Sequence, residues 1–161
     1  MKFNKQHLIE LIQYSNLLAS EGKSLFKTDP EKNRQFIKSM VVISDGIYWE
    51  NRQNFLNLLE KFLDGKIDGE EFTSSFFKIW RSNRDLARVY AKDIKLIQDF
   101  QFNPKTIGFS SLTAQLFSVC DSFVLVENEK DLEYLNEVGG LDEDSLRYFV
   151  KKYYLEMKEY D

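Results

Sequence analysis

Only two prolines and seven glycines interrupt the 161 residues, and this scarcity constrains the fold more than any other feature of the sequence. Proline and glycine are the residues that most often end helices and form tight turns. A β fold with many turns needs them frequently, whereas long helices do not. Apolar residues make up 43% of the chain, which is enough to build a core. We therefore predict an all-α single domain, an antiparallel bundle of five to six helices over residues 1–161.

Helical periodicity and capping residues place the helices. The predicted helices cover residues 4–20, 29–46, 47–63, 68–100, 110–123 and 142–157. Asp29, followed by Pro30, and Asp68 are predicted N-caps, and a bend is expected at Ser82–Asn83. The predicted buried faces include Leu8, Ile9, Leu11, Ile12, Leu17 and Leu18 in the first helix and Phe36, Ile37, Met40 and Val41 in the second. Residues 126–141 are acidic and contain two consecutive glycines, so we predict mostly loop there, with room for one helical turn.

The single cysteine indicates a reducing compartment. Cys120 can form no internal disulfide and lies in an apolar segment, so we predict a small buried hydrophobe. A catalytic thiol needs a neighbouring base or cation, and the only histidine, His7, is far away in sequence. Residues 1–16 lack the apolar run of a secretory signal, and no segment approaches the roughly 18 apolar residues of a membrane span. We therefore expect a cytoplasmic protein without membrane contact.

The sequence contains none of the familiar motifs for catalysis or cofactor binding. Nucleotide-binding glycine loops, paired metal-binding histidines and a nucleophile elbow are all missing. Residues 60–71 place Gly65 and Glu71 as the second half of a calcium loop does, but Glu60 and Phe62 stand where strong ligands are needed. Gly65 is instead expected to form a helix–turn–helix corner. We therefore predict a protein that is not an enzyme and needs no metal and no cofactor.

Charge is distributed unevenly along the chain, and this unevenness suggests a binding function. Residues 121–161 carry a net charge of −7, and the preceding 120 residues carry +3. An acidic surface of this kind suits a basic protein partner and disfavours direct nucleic-acid binding. The predicted partner-binding residues are Asp121, Asp131, Glu133, Glu137, Asp142, Glu143 and Asp144. Their charge is expected to serve association more than folding, so neutralising Asp131, Glu133, Glu137 and Glu143 together should leave the melting temperature nearly unchanged.

A basic stripe offers the acidic segment an alternative role inside the same chain. Arg81, Arg84, Arg88, Lys92 and Lys95 recur three and four residues apart and are predicted to share one helix face. This face either stays solvated or ion-paired locally, or docks the acidic segment, or contacts phosphate. The C-terminal aromatic residues, which we expect to be partly buried against the bundle, are Tyr148, Phe149, Tyr153, Tyr154 and Tyr160.

Two stretches of the chain resemble one bacterial family. Residues 62–72, FLDGKIDGEEF, continuing to Phe76 and Trp80, resemble the FLxGxIxxxEF corner of bacterial self-protective colicin-like immunity proteins. Residues 116–121, followed by residues 141–147, resemble the acidic helix end and the DEEELR-type final helix of the same family. On this resemblance, residues 46–161 would form the immunity-like bundle, and residues 1–45 would add N-terminal helices without a matched family.

The resemblance implies a helical bundle whose acidic face occupies the basic, RNA-binding cleft of a toxin nuclease. The expected function is therefore an immunity or antitoxin-type protein that binds its partner by complementary charge. The alternative function is that of a small structural or regulatory subunit of a larger complex.

Overall fold

Side-chain caps begin most of the helices in the computed structural model, which describes residues 3–160. The predicted caps are confirmed: Asp29 accepts a hydrogen bond from the amide of Lys32, and Asp68 accepts one from the amide of Glu71. The helices are α1 (Lys5–Ser20), α2 (Leu25–Thr28), α3 (Pro30–Glu50), α4 (Arg52–Leu63), α5 (Gly69–Tyr90), α6 (Ile94–Asp99), α7 (Thr106–Asp121), α8 (Glu129–Val138) and α9 (Glu143–Lys158). Within residues 3–160 the all-α prediction is confirmed, and the predicted number of helices was too low.

Close packing, not a turn, explains the glycine inside α3. The sequence suggested that one helix ends at Gly46 and that another begins at Ile47, but α3 continues through both residues to Glu50. A Cβ atom on Gly46 would lie 2.4 Å from the ring of Phe100. The glycine therefore allows Phe100 to pack against the helix. The break falls instead at Asn51, whose side chain makes no capping hydrogen bond to α4.

The predicted helix over residues 68–100 is two helices. Ser82 and Asn83 lie inside α5 without interrupting it, and the chain leaves the helix after Tyr90. Asp93 then caps α6 by accepting a hydrogen bond from the amide of Lys95. The prediction that the five basic residues share one helix face was therefore wrong, because Lys92 and Lys95 lie beyond α5.

The main core lies between α4, α5, α7 and α9, which form a four-helix bundle. Phe62 of α4 and Phe72 of α5 stack with ring centroids 4.5 Å apart, and both are fully buried. Phe109, Leu116 and Cys120 of α7 pack into the same core. The predicted burial of Cys120 is confirmed, and this burial raises the pKa of its thiol. A buried, protonated thiol is a packing residue and not a nucleophile.

A second, smaller core joins the N-terminal helices to the bundle. It contains the buried residues Leu8, Ile9, Ile12, Ile43, Ile47, Ile97 and Phe100, from α1, α3, α6 and the residue after α6. Helix α3 also packs on α5 and α7, so it connects the two cores. Three residues that were predicted to be buried, Leu17, Ile37 and Val41, are more than half exposed. No helix within residues 3–160 is long and apolar enough to cross a membrane.

Candidate protein interface

The corner between α4 and α5 is built from local capping chemistry. Gly65 has a φ of 71°, a left-handed conformation that glycine adopts without strain. Its amide donates to the carbonyl of Phe62, and the amide of Lys66 donates to the carbonyl of Lys61. This pair of bonds is a Schellman motif, which satisfies carbonyl groups at the end of α4. The predicted helix–turn–helix corner is therefore confirmed.

The corner is tied to the start of α9 by two side chains. A carboxylate oxygen of Glu143 accepts a hydrogen bond from the amide of Gly69 at 2.9 Å, and Glu143 also pairs with Arg147 at 2.7 Å. The guanidinium of Arg147 donates to the carbonyl oxygen of Phe62 and lies 4.1 Å from the centroid of the Phe62 ring. The two sequence stretches that carry the family resemblance therefore meet in space at this corner.

Between α7 and α9 the chain makes a detour, here called the α8 excursion and defined as residues 124–140. Its two ends are held together by backbone bonds. The amide of Val124 donates to the carbonyl of Leu141 at 2.9 Å, and the amide of Leu141 donates to the carbonyl of Ser122 at 2.7 Å. The excursion therefore leaves the bundle and returns to it at nearly the same point.

Helix α8 itself was missed by the sequence analysis, which predicted mostly loop in this region. Asn128 caps its first turn, and Gly139 ends it in a left-handed conformation with a φ of 64°. No Cα atom of α8 lies within 8 Å of a Cα atom in any other helix of the described chain. Leu135 is the one residue of α8 that is buried. The excursion is thus a folded element attached to the bundle by its base and one side chain.

The seven predicted partner-binding residues divide into two groups in the structure. Asp142 caps α9 by accepting a hydrogen bond from the amide of Ser145, and hydrogen bonds from the side chain and then the amide of Ser145 lower the pKa of Asp142. Asp131 accepts hydrogen bonds from the amide of Glu127 and from the side chain of Asn128, so it stabilises the start of α8. Glu143 ties the corner to α9, as described above, and therefore has a role in folding. The expectation that neutralising Glu143 leaves stability unchanged does not fit this geometry.

The other four acids face solvent. Asp121, Glu133, Glu137 and Asp144 are exposed, and their carboxylates form no ion pair with any residue among 3–160. Because these charges hold no part of the described fold together, they are available to a partner. They and the three engaged acids lie on the excursion and on the helix ends that flank it.

The basic stripe does not dock the acidic segment in this structure. Arg84 and Arg88 both pair with Asp85 of their own helix, at 3.1 and 3.2 Å. Across the described part of the chain, no ion pair joins Arg81, Arg84 or Arg88 to residues 121–144. Of the three alternatives for the stripe, the structure fits local ion pairing of Arg84 and Arg88.

Exposed apolar side chains on α8 are the part of the surface that sequence reasoning missed. Tyr134 is 55% exposed and Val138 is 50% exposed. The C-terminal aromatic residues behave largely as predicted: Phe149, Tyr153, Tyr154 and Tyr160 are partly buried, and Tyr148 is exposed. The signals that would have indicated α8 are the Asn128 cap, the Gly139 stop and the three-residue spacing of Leu132, Leu135 and Val138.

The acidic residues do not form a metal centre. No group of three or more His, Cys, Asp or Glu side chains within the described residues is arranged to hold a metal ion. In the calcium-like segment, the carboxylate of Asp64 pairs with Lys66 at 2.8 Å and that of Asp68 caps α5. The carboxylates of Asp64 and Asp68 are therefore used in the turn itself.

Comparison with known proteins identifies one related family. No curated protein and no solved structure matches the chain. A family model does match, over about a third of the chain, and the match contains α4, the corner, α5 and α6. It ends before the second stretch of the resemblance, residues 116–147. Residues 52–104 match the model of bacterial self-protective colicin-like immunity, the family that the corner motif predicted.

Proposed function

We propose that this protein is an immunity protein that binds and neutralises a nuclease toxin through the acidic face formed by the α8 excursion and its flanking helix ends. The observation that carries the proposal is the contact between the matched segment and the acidic segment. Glu143 and Arg147 connect the corner at Phe62 and Gly69 to the first turn of α9. The corner, which lies within the segment that matches the family model, is therefore bonded to the first turn of α9, where the proposed acidic face ends.

The negative charge of the proposed acidic face favours a basic partner. Residues 127–144 contain eight acidic residues and one basic residue. A surface with this excess attracts a basic cleft over a distance of about 10 Å at moderate salt and raises the rate of encounter. A nuclease cleft is basic because it must hold the phosphate backbone of its substrate. An acidic protein that fills such a cleft competes directly with the nucleic acid, and this competition is the inhibitory mechanism we propose.

The proposed mechanism requires only that this chain binds the nuclease, and it needs no catalytic residue on this chain. The only thiol is buried with a raised pKa, and the four exposed carboxylates are spread over α7, α8 and α9 and face solvent. We further propose that the protein acts in the cytoplasm, where the thiol of Cys120 stays reduced.

The test is inhibition. The purified chain is immobilised, proteins retained from a lysate of the source cells are identified by mass spectrometry, and each retained basic protein is produced alone. We expect one of them to cleave RNA, and we expect equimolar addition of this chain to stop the cleavage. If every retained protein is inert toward nucleic acid, or if cleavage continues at saturating concentrations of this chain, the proposed function is wrong.

A further inference from the structure

Exposed apolar side chains are concentrated on the excursion. Fifteen large apolar side chains are exposed within residues 3–160, and five of them lie between residues 125 and 138. These five are Leu125, Val126, Leu132, Tyr134 and Val138. A third of the exposed set therefore falls in a short segment that also carries five acidic residues and one basic residue. Contiguous apolar side chains surrounded by polar ones are typical of protein interaction sites.

Helix geometry places apolar and acidic side chains on adjoining strips of α8. Tyr134 and Val138 are four residues apart and so are neighbours on the helix surface, and the same holds for Glu133 and Glu137. Tyr134 and Val138 also line an open cleft of about 410 Å³, and Asp121 at the end of α7 lines the same cleft. One face of the excursion thus combines an apolar centre with an acidic rim.

The charge of this face restricts what can cover it. The excursion carries five acidic residues and one basic residue, so an anionic membrane, a nucleic acid or the same face of a second copy would be repelled. No helix of the described chain lies close enough to cover the apolar strip. An occupant must be basic around its edge to suit the rim and apolar at its centre to suit Tyr134 and Val138.

We propose that Tyr134 and Val138 are the anchor residues of the toxin interface and that they enter an apolar pocket within the basic cleft of the nuclease. This inference rests on the proposed function and specifies its partner surface. Apolar anchors at the centre of an interface contribute most of the binding energy and act mainly on the dissociation rate. The acidic rim, with Asp121, Glu133 and Glu137, acts mainly on the association rate.

The experiment measures both rates for two variants, using as probe the basic nuclease that the inhibition test identifies. The variant Tyr134→Ser/Val138→Ser should dissociate about 30-fold faster, with association and its salt dependence unchanged. Tyr134→Phe keeps the ring and should dissociate within about threefold of the native rate. A thermal melt accompanies each variant, so that loss of the fold is not mistaken for loss of the anchors.

The control variant replaces two apolar residues of matched exposure away from the excursion. Ile107 and Leu155 are 56% and 58% exposed and lie on α7 and α9, and Ile107→Ser/Leu155→Ser should dissociate at the native rate. Unchanged dissociation of the Tyr134→Ser/Val138→Ser variant, with the native melting temperature, would overturn the anchor proposal. If the nuclease is inhibited nonetheless, the proposed function survives that result. If this chain inhibits no nuclease, both proposals fail together.

Discussion

The corner and the α8 excursion are connections of similar local chemistry and very different packing. Each contains a side-chain N-cap, Asp68 or Asn128, and each has a left-handed glycine, Gly65 or Gly139. The corner lies against stacked, fully buried phenylalanines, whereas α8 buries a single leucine. Similar capping and turn chemistry can therefore either join two parts of a core or hold an element out in solvent. We therefore expect global stability to depend on the corner, whereas the excursion is the surface that we propose for binding.

Truncation of one buried side chain in each region should show the largest difference in stability between the corner and the excursion. Phe62→Ala removes a ring that stacks on Phe72 and supports Arg147, so the free energy of unfolding should fall by about 3–5 kcal/mol. Leu135→Ala should lower it by less than about 1 kcal/mol, because the excursion can open locally without unfolding the bundle. Urea unfolding followed by circular dichroism measures both losses. Equal losses would mean that α8 belongs to the cooperative core.

Gly65 and Gly139 provide a matched pair, because both have a left-handed backbone conformation. In both, an added Cβ atom would meet no atom within 4 Å, so a substitution tests the left-handed backbone alone. Gly65→Val should cost about 1–2 kcal/mol of global stability. Gly139→Val should cost the bundle less and should instead speed hydrogen exchange in α8. A larger global loss at Gly139 than at Gly65 would reverse the comparison.

The helix caps should show the same ranking with smaller effects. Asp142→Ala removes the cap of α9 and should cost about 1 kcal/mol, whereas Asn128→Ala, which uncaps α8, should shift the global melt by less. The lowered pKa of Asp142 also determines how the contribution of this cap to stability changes with pH. Its contribution is present above the ordinary pKa of an aspartate and is lost as the pH falls through the lowered value. Melts of the native chain and Asp142→Ala should therefore converge at acidic pH.

Local signals made part of this structure predictable from sequence. The caps at Asp29 and Asp68 and the turn at Gly65 were identified because each depends on residues within one helical turn. Gly46 misled the prediction because its role depends on Phe100, which is far away in sequence. Ile37 and Val41 follow the apolar period of α3, yet no element covers them. Effects of this kind depend on tertiary packing and give no signal in the neighbouring sequence.

The excess of negative charge at the candidate site could be predicted from the sequence. The arrangement of its side chains on the surface could not. Counting residues located the acidic segment, but it could not show that Asp131, Asp142 and Glu143 are engaged in the fold while other acids are free. Helix α8 was hidden by its acidic composition, which resembles that of a loop. The prediction that the seven acids bind a basic partner stays a prediction.

The most direct test of the central claim compares two triple variants, each of which neutralises three acidic side chains. Asp121→Asn/Glu133→Gln/Glu137→Gln removes three free acids of the proposed face. The control, Glu50→Gln/Asp99→Asn/Glu159→Gln, removes three exposed acids that lie at other helix ends. Both variants gain the same net charge, so only the position of the charge differs between them.

Stopped-flow association with the nuclease, measured at several salt concentrations, is the decisive measurement. The first variant should associate about tenfold more slowly at low salt, with a flatter salt dependence and a native melting temperature. The control should associate within about twofold of the native rate, because its charges lie away from the proposed interface. Equal slowing of both variants, or a loss of stability in the first with native association, would contradict the claim that the excursion is the binding face.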